Sequence, residues 1–394
     1  MNEIVAIENV KIGMYLIDIH ESEKNLQVKS QGLIKSTATV ASLQKRGVIS
    51  IKIDVEKSVH ATGSHQDSKE ASMQHAKASK NILSFEQQQA HLAKADKLYT
   101  QARDVQSRFV KQLRSGNAPD IDSLNTVCQD IIDSVFENHQ ALSCLVMLKD
   151  TNDYLVEHSL NCAILLSIFA NHLGFSQSDI EDLTISGLLM DIGMTILPQD
   201  LVTRTDAYSQ ADKLLMQTHV DIACEVVDRY CDLPPMVDDV IRNHHERIDG
   251  SGYPKQKTDS DISLHAKMAA IVDSYDALIS NRGYRSSKSP HDALEQMLAS
   301  DAFDQGLVAS FIEAIGLYPV GSLVHLKSGK LGIVVRHNKP LKPDIMTFYS
   351  IRNRHHTEVR LLDLTKSTDK ISGAVRPEEF NIDLPKFFKS VLLP

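Results

Sequence analysis

Tryptophan is missing altogether from this 394-residue chain, and cysteine is scarce, at five residues. The lack of tryptophan excludes no fold. The cysteines (Cys128, Cys144, Cys162, Cys224 and Cys231) form no CxxC pair and no regular framework. That excludes a disulfide-stapled secreted domain, and scattered thiols of this kind fit a reducing cytoplasm. No apolar run approaches the roughly 20 residues that a membrane-spanning helix needs. The first residues, Met1-Asn2-Glu3-Ile4-Val5, lack a basic stretch followed by an apolar core, so no secretory leader is expected. Positive charge is in deficit: 42 Lys and Arg face 51 Asp and Glu, for a net charge of −9. Long nucleic acid is a poor partner for such a surface. A small anion would need local positive charge, from metal ions or a few arginines.

The chain is too long for one ordinary core, and its texture changes along its length. Residues 1–55 alternate apolar and polar side chains around Gly13, in Val10-Lys11-Ile12, Met14 to Ile19 and Val48 to Ile53. Such alternation reads as strands, with one short helix fitting Ser36 to Arg46, and so as a small α+β domain. Residues 56–82 are rich in Ser, His, Gln and Lys and read as a flexible linker. Its histidines, His60, His65 and His75, have no metal-ligand spacing. Residues 83–148 read as connecting helices. In the first, Leu92, Ala95, Tyr99, Ala102, Val105, Phe109 and Leu113 recur at intervals of three and four. This helix either packs on the next domain or pairs with its twin in a homodimer through residues 85–113. Residues 149–317 are helix after helix: from Tyr154, Ile180 to Met190, Ala211 to Tyr230, Pro235 to His245, Leu264 to Ser280, Pro290 to Leu298, and Gly306 to Ile315. Residues 318–394 turn to strands, with a hairpin over Ser322–Leu326 and Leu331–Val335 around Gly329. We read them as a small β-rich appendage on a mainly α protein.

One stretch concentrates chemistry: Asn243-His244-His245-Glu246-Arg247-Ile248-Asp249-Gly250-Ser251-Gly252-Tyr253-Pro254. Neutral imidazoles and carboxylates are ligands for borderline first-row metals. Gly250 and Gly252 lack side chains, so phosphates could approach this backbone closely. The run resembles the signature of the HD-GYP family, bacterial metal-dependent phosphodiesterases that open cyclic dinucleotides. The N-terminal domain is more weakly similar to the α+β domain that precedes many of them.

The resemblance implies a ligand set that arrives in the family's order. His158, followed by Ser159, matches the first histidine, and Asp191 the aspartate of the HDxGK motif. His219 matches the lone histidine, His244 and His245 the pair, and Asp273 the first aspartate of DxxDAL. In the family the bridging aspartate, the lone histidine and the pair hold one metal. The first histidine, the HD histidine and both aspartates hold the other. Two positions depart: Met190 stands for the HD histidine and Met194 for the lysine. A thioether is a soft ligand, and methionine brings no charge to a phosphate. We expect one ion, Fe or Mn, bound tightly and a second weak or absent. Tyr154, four residues before His158, fits the two-metal form and not the three-metal form.

For the substrate, the resemblance points to Arg282 and Arg285, to Asp276 as part of the polar shell, and to a loop of Gly250, Gly252, Tyr253 and Pro254. Asp276 and Arg282 fit an intrahelical or capping ion pair equally well, and a solvent-facing Arg247 is likewise open. His172 and His265 read as ordinary surface or core histidines. The implied reaction is hydrolysis of cyclic di-GMP, or a related cyclic dinucleotide, by a metal-bound water with no protein nucleophile. A catalytically silent receptor or adaptor is the alternative, favoured by Met190 and Met194. Hydrolysis of another nucleotide ranks below both.

Overall fold

The computed structural model describes residues 2–7, 10, 14–22, 32–33, 48–54, 85–147, 153–231, 233–280, 287–339 and 342–391. The chain divides into two compact units, Met1–Asn81 and Ile82–Pro394. The first is an antiparallel sheet of β1 (Asn2–Ala6), β2 (Tyr15–Ser22), β3 (Gly32–Leu33) and β4 (Val48–Asp54), in the order β1-β4-β2-β3. In β4 the side chains of Val48, Ser50, Ile51 and Ile53 are buried, and Val10 joins the apolar residues in a small core. The helix expected over Ser36–Arg46 and the linker histidines lie outside the described residues.

The second unit is helical, then β. Its helices are α1 (Phe85–Arg114), α2 (Ile121–Val146), α3 (Tyr154–His172), α4 (Gln177–Leu189), α5 (Gln199–Val202), α6 (Gln210–Gln217), α7 (His219–Tyr230), α8 (Pro235–Asn243), α9 (Leu264–Ile279), α10 (Pro290–Leu298) and α11 (Gln305–Ile315). α3 is buried on every side from Leu155 to Ala170 and forms the axis of the bundle. α1 contributes Leu92, Ala95, Ala102, Phe109, Val110 and Leu113 to the core that α3 occupies. This helix packs on the domain that follows.

The stretch Ala211–Tyr230, which reads as one helix, is two. α6 is closed at its start by a capping box, in which Ser209 accepts from Asp212 N and the Asp212 carboxylate accepts from Ser209 N. The chain breaks at Thr218, where the His219 ring takes the Met216 carbonyl. The break sets His219 at the start of α7.

The β region is larger than the predicted hairpin. β5 (Leu323–Leu326), β6 (Lys330–Lys339), β7 (Lys342–Ser350), β8 (His355–Asp363) and β9 (Ile371–Ala374) form an antiparallel sheet in the order β8-β7-β6-β5-β9. Its side chains are shared between two cores. Val324, Leu326, Val334, Ile345 and Met346 join the helical core. Leu323, Leu331, Ile333 and Phe348 face the other way and meet Leu384 of α12 (Leu384–Val391). The sheet is thus an integral layer of the unit. Among the described residues no helix is long and apolar enough to cross a membrane.

Candidate metal centre

Five segments bring six side chains together. α3 supplies His158, the turn after α4 supplies Asp191, and α7 opens with His219. The end of α8 supplies His244 and His245, and α9 supplies Asp273. Asp191 lies at the centre. Its Oδ2 is 3.2 Å from His158 Nε2, and its Oδ1 is 3.3 Å from His219 Nε2 and 3.9 Å from His244 Nε2. Asp273 spans the other flank, with Oδ1 3.1 Å from His158 Nε2 and Oδ2 3.4 Å from His245 Nδ1. The Nε2 atoms of His219 and His245 stand 3.1 Å apart. All but His245 are buried.

A close backbone contact makes this convergence possible. A Cβ on Gly193 would lie 2.0 Å from the His219 carbonyl oxygen and 2.7 Å from Ala223 N. Only glycine lets the turn carrying Asp191 rest directly on the first turn of α7.

Three of the imidazoles are oriented from behind. His158 Nδ1–H donates to Asp276 Oδ2 at 2.7 Å, His219 Nδ1–H to Met216 O at 2.6 Å, and His244 Nδ1–H to Ile241 O at 2.9 Å. Each pairing puts the proton on Nδ1 and leaves the Nε2 lone pair facing Asp191. Burial, with His244 and His219 nearby, holds His245 well below the usual imidazole range, and burial lowers His244 too. Burial opposes the charge on Asp191, but His158 and His219 outweigh it and keep the carboxyl well below its usual range; against their own burial, the same acidic surroundings hold His158 and His219 above the usual imidazole range, with protons that a bound metal ion would displace. Neutral imidazole and charged carboxylate are the ligating forms.

These residues fit a divalent cation. Both Asp191 oxygens and His244 Nε2 are buried without a hydrogen-bond partner among the described residues, although imidazole nitrogens lie at 3.2–3.3 Å from the carboxylate. Unpartnered buried polar atoms are costly, and a metal ion at their centre satisfies all of them. Two donor sets at this centre have their ligand atoms within 4.8 Å of one another: Asp191, His219, His244 and His245, and His158, Asp191 and Asp273. Nitrogen and oxygen donors suit Mn, Fe or Zn. Met190 is fully buried in the apolar core beside the three-ligand set, and Met194 is nearly so.

The loop after His245 is held by Glu246. This carboxylate is buried and accepts from Lys255 N at 2.7 Å and Lys257 N at 2.9 Å. It therefore staples the loop and is not a ligand. Tyr253 stacks on His245 with ring centroids 4.5 Å apart, and the Tyr253–Pro254 peptide is cis. A Cβ on Gly252 would meet Arg247 N at 2.4 Å and Glu246 Cα at 2.6 Å, and Gly250 has φ +78°. The geometry of the loop itself accounts for both glycines, before any phosphate is considered.

Three expectations need correction or fall elsewhere. Asp276 is completely buried behind His158, and besides that ring it accepts from Asn161 Nδ2 at 3.1 Å. Arg247 does not face solvent: it donates to the carbonyls of His244 and Glu246 at 3.0 and 2.8 Å and lies over the Phe303 ring. Arg282 and Arg285 lie outside the described residues. His172 faces Glu313 at 3.6 Å, and His265 packs edge-on to Phe175.

Sequence reading missed the support from α1. Tyr99 Oη donates to Asn161 Oδ1 at 2.9 Å, and Gln106 Nε2 donates to Ser159 Oγ at 3.1 Å and Leu188 O at 2.9 Å. Asn161 follows His158 by three residues on one helix face, and that spacing was the available signal.

Known proteins match the same segments. A family model described as HD domain matches residues 143–307, and one described as a domain of unknown function (DUF3391) matches residues 4–124. The cyclic di-GMP phosphodiesterase PA4108 of Pseudomonas aeruginosa is 28% identical over 96% of this chain and 93% of its own length. The 3'3'-cGAMP-specific phosphodiesterase 2 of Vibrio cholerae is 25% identical over 42% of this chain and 31% of its own. A solved HDG"Y"P protein from Bdellovibrio bacteriovorus aligns with a TM-score of 0.48 and 16% identity, over 79% of this chain and 99% of that one.

Proposed function

The chain carries an HD domain of the HD-GYP kind, and from that premise we propose that it hydrolyses a cyclic dinucleotide, cyclic di-GMP first, to the linear dinucleotide or GMP. The observation that carries this reading is Asp191, buried and ionised, with both oxygens unmatched by a hydrogen bond among the described residues and three imidazole Nε2 atoms turned toward it. The relative that this chain covers nearly end to end is a cyclic di-GMP phosphodiesterase.

Asp191, His219, His244 and His245 hold one ion, Fe or Mn. His158, Asp191 and Asp273 hold a second weakly, because Met190 offers a thioether where a nitrogen is needed. A bound divalent ion supplies Lewis acidity and an acidified water. The protein's own part is to fix ligand orientation through Asp276, Met216 O and Ile241 O, and to hold Tyr253 against His245. Arg282, Arg285 and the Gly250–Pro254 loop are assigned to the substrate's phosphates. No serine or cysteine nucleophile takes part. The division at residues 55, 82, 148 and 317, and a cytoplasmic location, belong to the same proposal.

Met190 and Met194 favour a second reading, a silent receptor that binds the nucleotide without turnover. The test measures metal content and cyclic di-GMP hydrolysis on one preparation, beside Met190→His/Met194→Lys and His244→Ala. Hydrolysis by the natural chain that His244→Ala abolishes supports the enzyme. Turnover by the double variant alone, with dinucleotide binding retained in the natural chain, supports the receptor.

A further inference from the structure

His158 belongs to a second feature besides the metal sets. It lines a cavity of about 260 Å³ that runs between α3 and the C-terminal layer, where Ser322 and the segment from Val375 to Pro385 form the opposite wall. None of His219, His244, His245 or Tyr253 reaches it. Its volume is near the lower end of small-molecule pockets, roughly 300 Å³, and suits part of a dinucleotide.

The walls define what fits. The Ser322 hydroxyl is 3% exposed and has no hydrogen-bond partner among the described residues, although it lines the cavity. A buried hydroxyl left this way costs free energy that a polar ligand atom recovers. Glu157, Glu378 and Asp383 contribute carboxylates, against cations from Lys288 and Arg376. Arg376 Nε already donates to Glu379 at 2.9 Å. Among the described lining residues carboxylates thus outnumber cations. The remainder is largely apolar, including Ile382, with the Tyr154 ring stacked on His158 at 5.3 Å.

Apolar surface edged by carboxylates suits a nucleobase with donor groups. Guanine offers N1–H and N2–H₂ side by side to a carboxylate, whereas adenine's Watson–Crick edge pairs one amino donor with an acceptor nitrogen. We propose that this cavity is a base subsite, taking the guanine next to the phosphodiester held at the metal centre. The C-terminal layer would then be a specificity element. The proposal rests on the cyclic dinucleotide reading above and extends it to base preference.

The full-length chain tests it through equilibrium binding of cyclic di-GMP and cyclic di-AMP. Kinetics on bis(p-nitrophenyl) phosphate, a diester with no base, serve as reference. Ser322→Ala removes the hydroxyl, and Ile382→Trp fills the cavity; thermal melting and metal content check each for folding. The natural chain is expected to prefer cyclic di-GMP. Ser322→Ala should weaken its binding by roughly three- to tenfold, the size of one hydrogen bond. Ile382→Trp should weaken it further, and both should lower kcat/KM for the dinucleotide relative to the baseless diester. Unchanged binding in a folded Ser322→Ala and Ile382→Trp overturns the subsite while the phosphodiesterase reading stands. Equal affinity for the two dinucleotides overturns the guanine assignment. If the natural chain binds neither, the parent reading falls and takes the subsite with it.

Discussion

Tyr99 and Asn161 are joined by a 2.9 Å hydrogen bond that links the connecting helix to the metal centre. Asn161 passes the link to Asp276 at 3.1 Å, and Asp276 holds His158 at 2.7 Å. Three side chains, one from each of three helices, thus fix one imidazole. Gln106, two turns further along α1, braces both Ser159 and the Leu188 carbonyl just before Asp191. This helix therefore touches the support of His158, a member of the three-ligand set, and the segment leading to Asp191, which both sets share.

Tyr99→Phe breaks the first link and leaves Asn161 Oδ1 without its donor. Loss of a buried hydrogen bond costs about 1–3 kcal/mol, and losing the support behind a metal ligand weakens binding by roughly 10–100-fold. Calorimetric Mn titration is expected to show the weaker of two binding steps lost first, with the stronger kept. If both steps are unchanged in Tyr99→Phe, the link has no part in holding the metal.

Glu246→Ala removes the acceptor for Lys255 N and Lys257 N. Both amides lose their protection, and the loop carrying Tyr253 is released from the end of α8. We expect faster hydrogen exchange at Lys255 and Lys257 and a raised KM for the dinucleotide, with metal content kept. Loss of metal in this variant would mean that Glu246 is a ligand after all.

Much of this was legible in the sequence, for identifiable reasons. The helices carry long three-four periodicity, and each candidate ligand has a local marker, such as the serine after His158 or the doubled histidine at 244. Side-chain direction was not legible. Asp273 and Asp276 share a helix face, and only the fold reveals that one enters the metal centre while the other stands behind His158. β8 was invisible because its pattern is nearly all exposed, with Glu358 and Arg360 paired on its surface. The four residues of β9, Ile371–Ala374, include a serine and a glycine and give no strand alternation. The close approach of Gly193 to the His219 backbone exists only between elements distant in the chain.

Gly193→Ala tests that contact directly. The new methyl would sit 2.0 Å from a backbone oxygen and 2.7 Å from a backbone nitrogen, neither of which can rotate away. Overpacking of this kind costs about 1–3 kcal/mol or more, and relief requires α7 to move off the turn that holds Asp191. The expected result is a lower Tm together with loss of the tightly bound metal. A Gly193→Ala protein with natural metal content would mean that the turn and α7 shift together.

The last prediction concerns acid stability away from the metal centre. Burial pushes His337 on β6 down to about 4, with His139 adding to the effect. An unfolded histidine titrates near 6.5. Between those values the unfolded chain binds a proton that the folded chain refuses, so the unfolded state gains as pH falls. His337 thus contributes stability above about pH 6.5 that is lost progressively down to about pH 4. Other buried groups titrate in this window, so the comparison is with His337→Gln, which keeps a polar side chain and cannot charge. Melting curves from pH 7 to 4 should fall less steeply for the variant, by a few degrees at the acid end. Parallel curves would mean that His337 accepts its proton in the folded sheet as readily as in the unfolded chain.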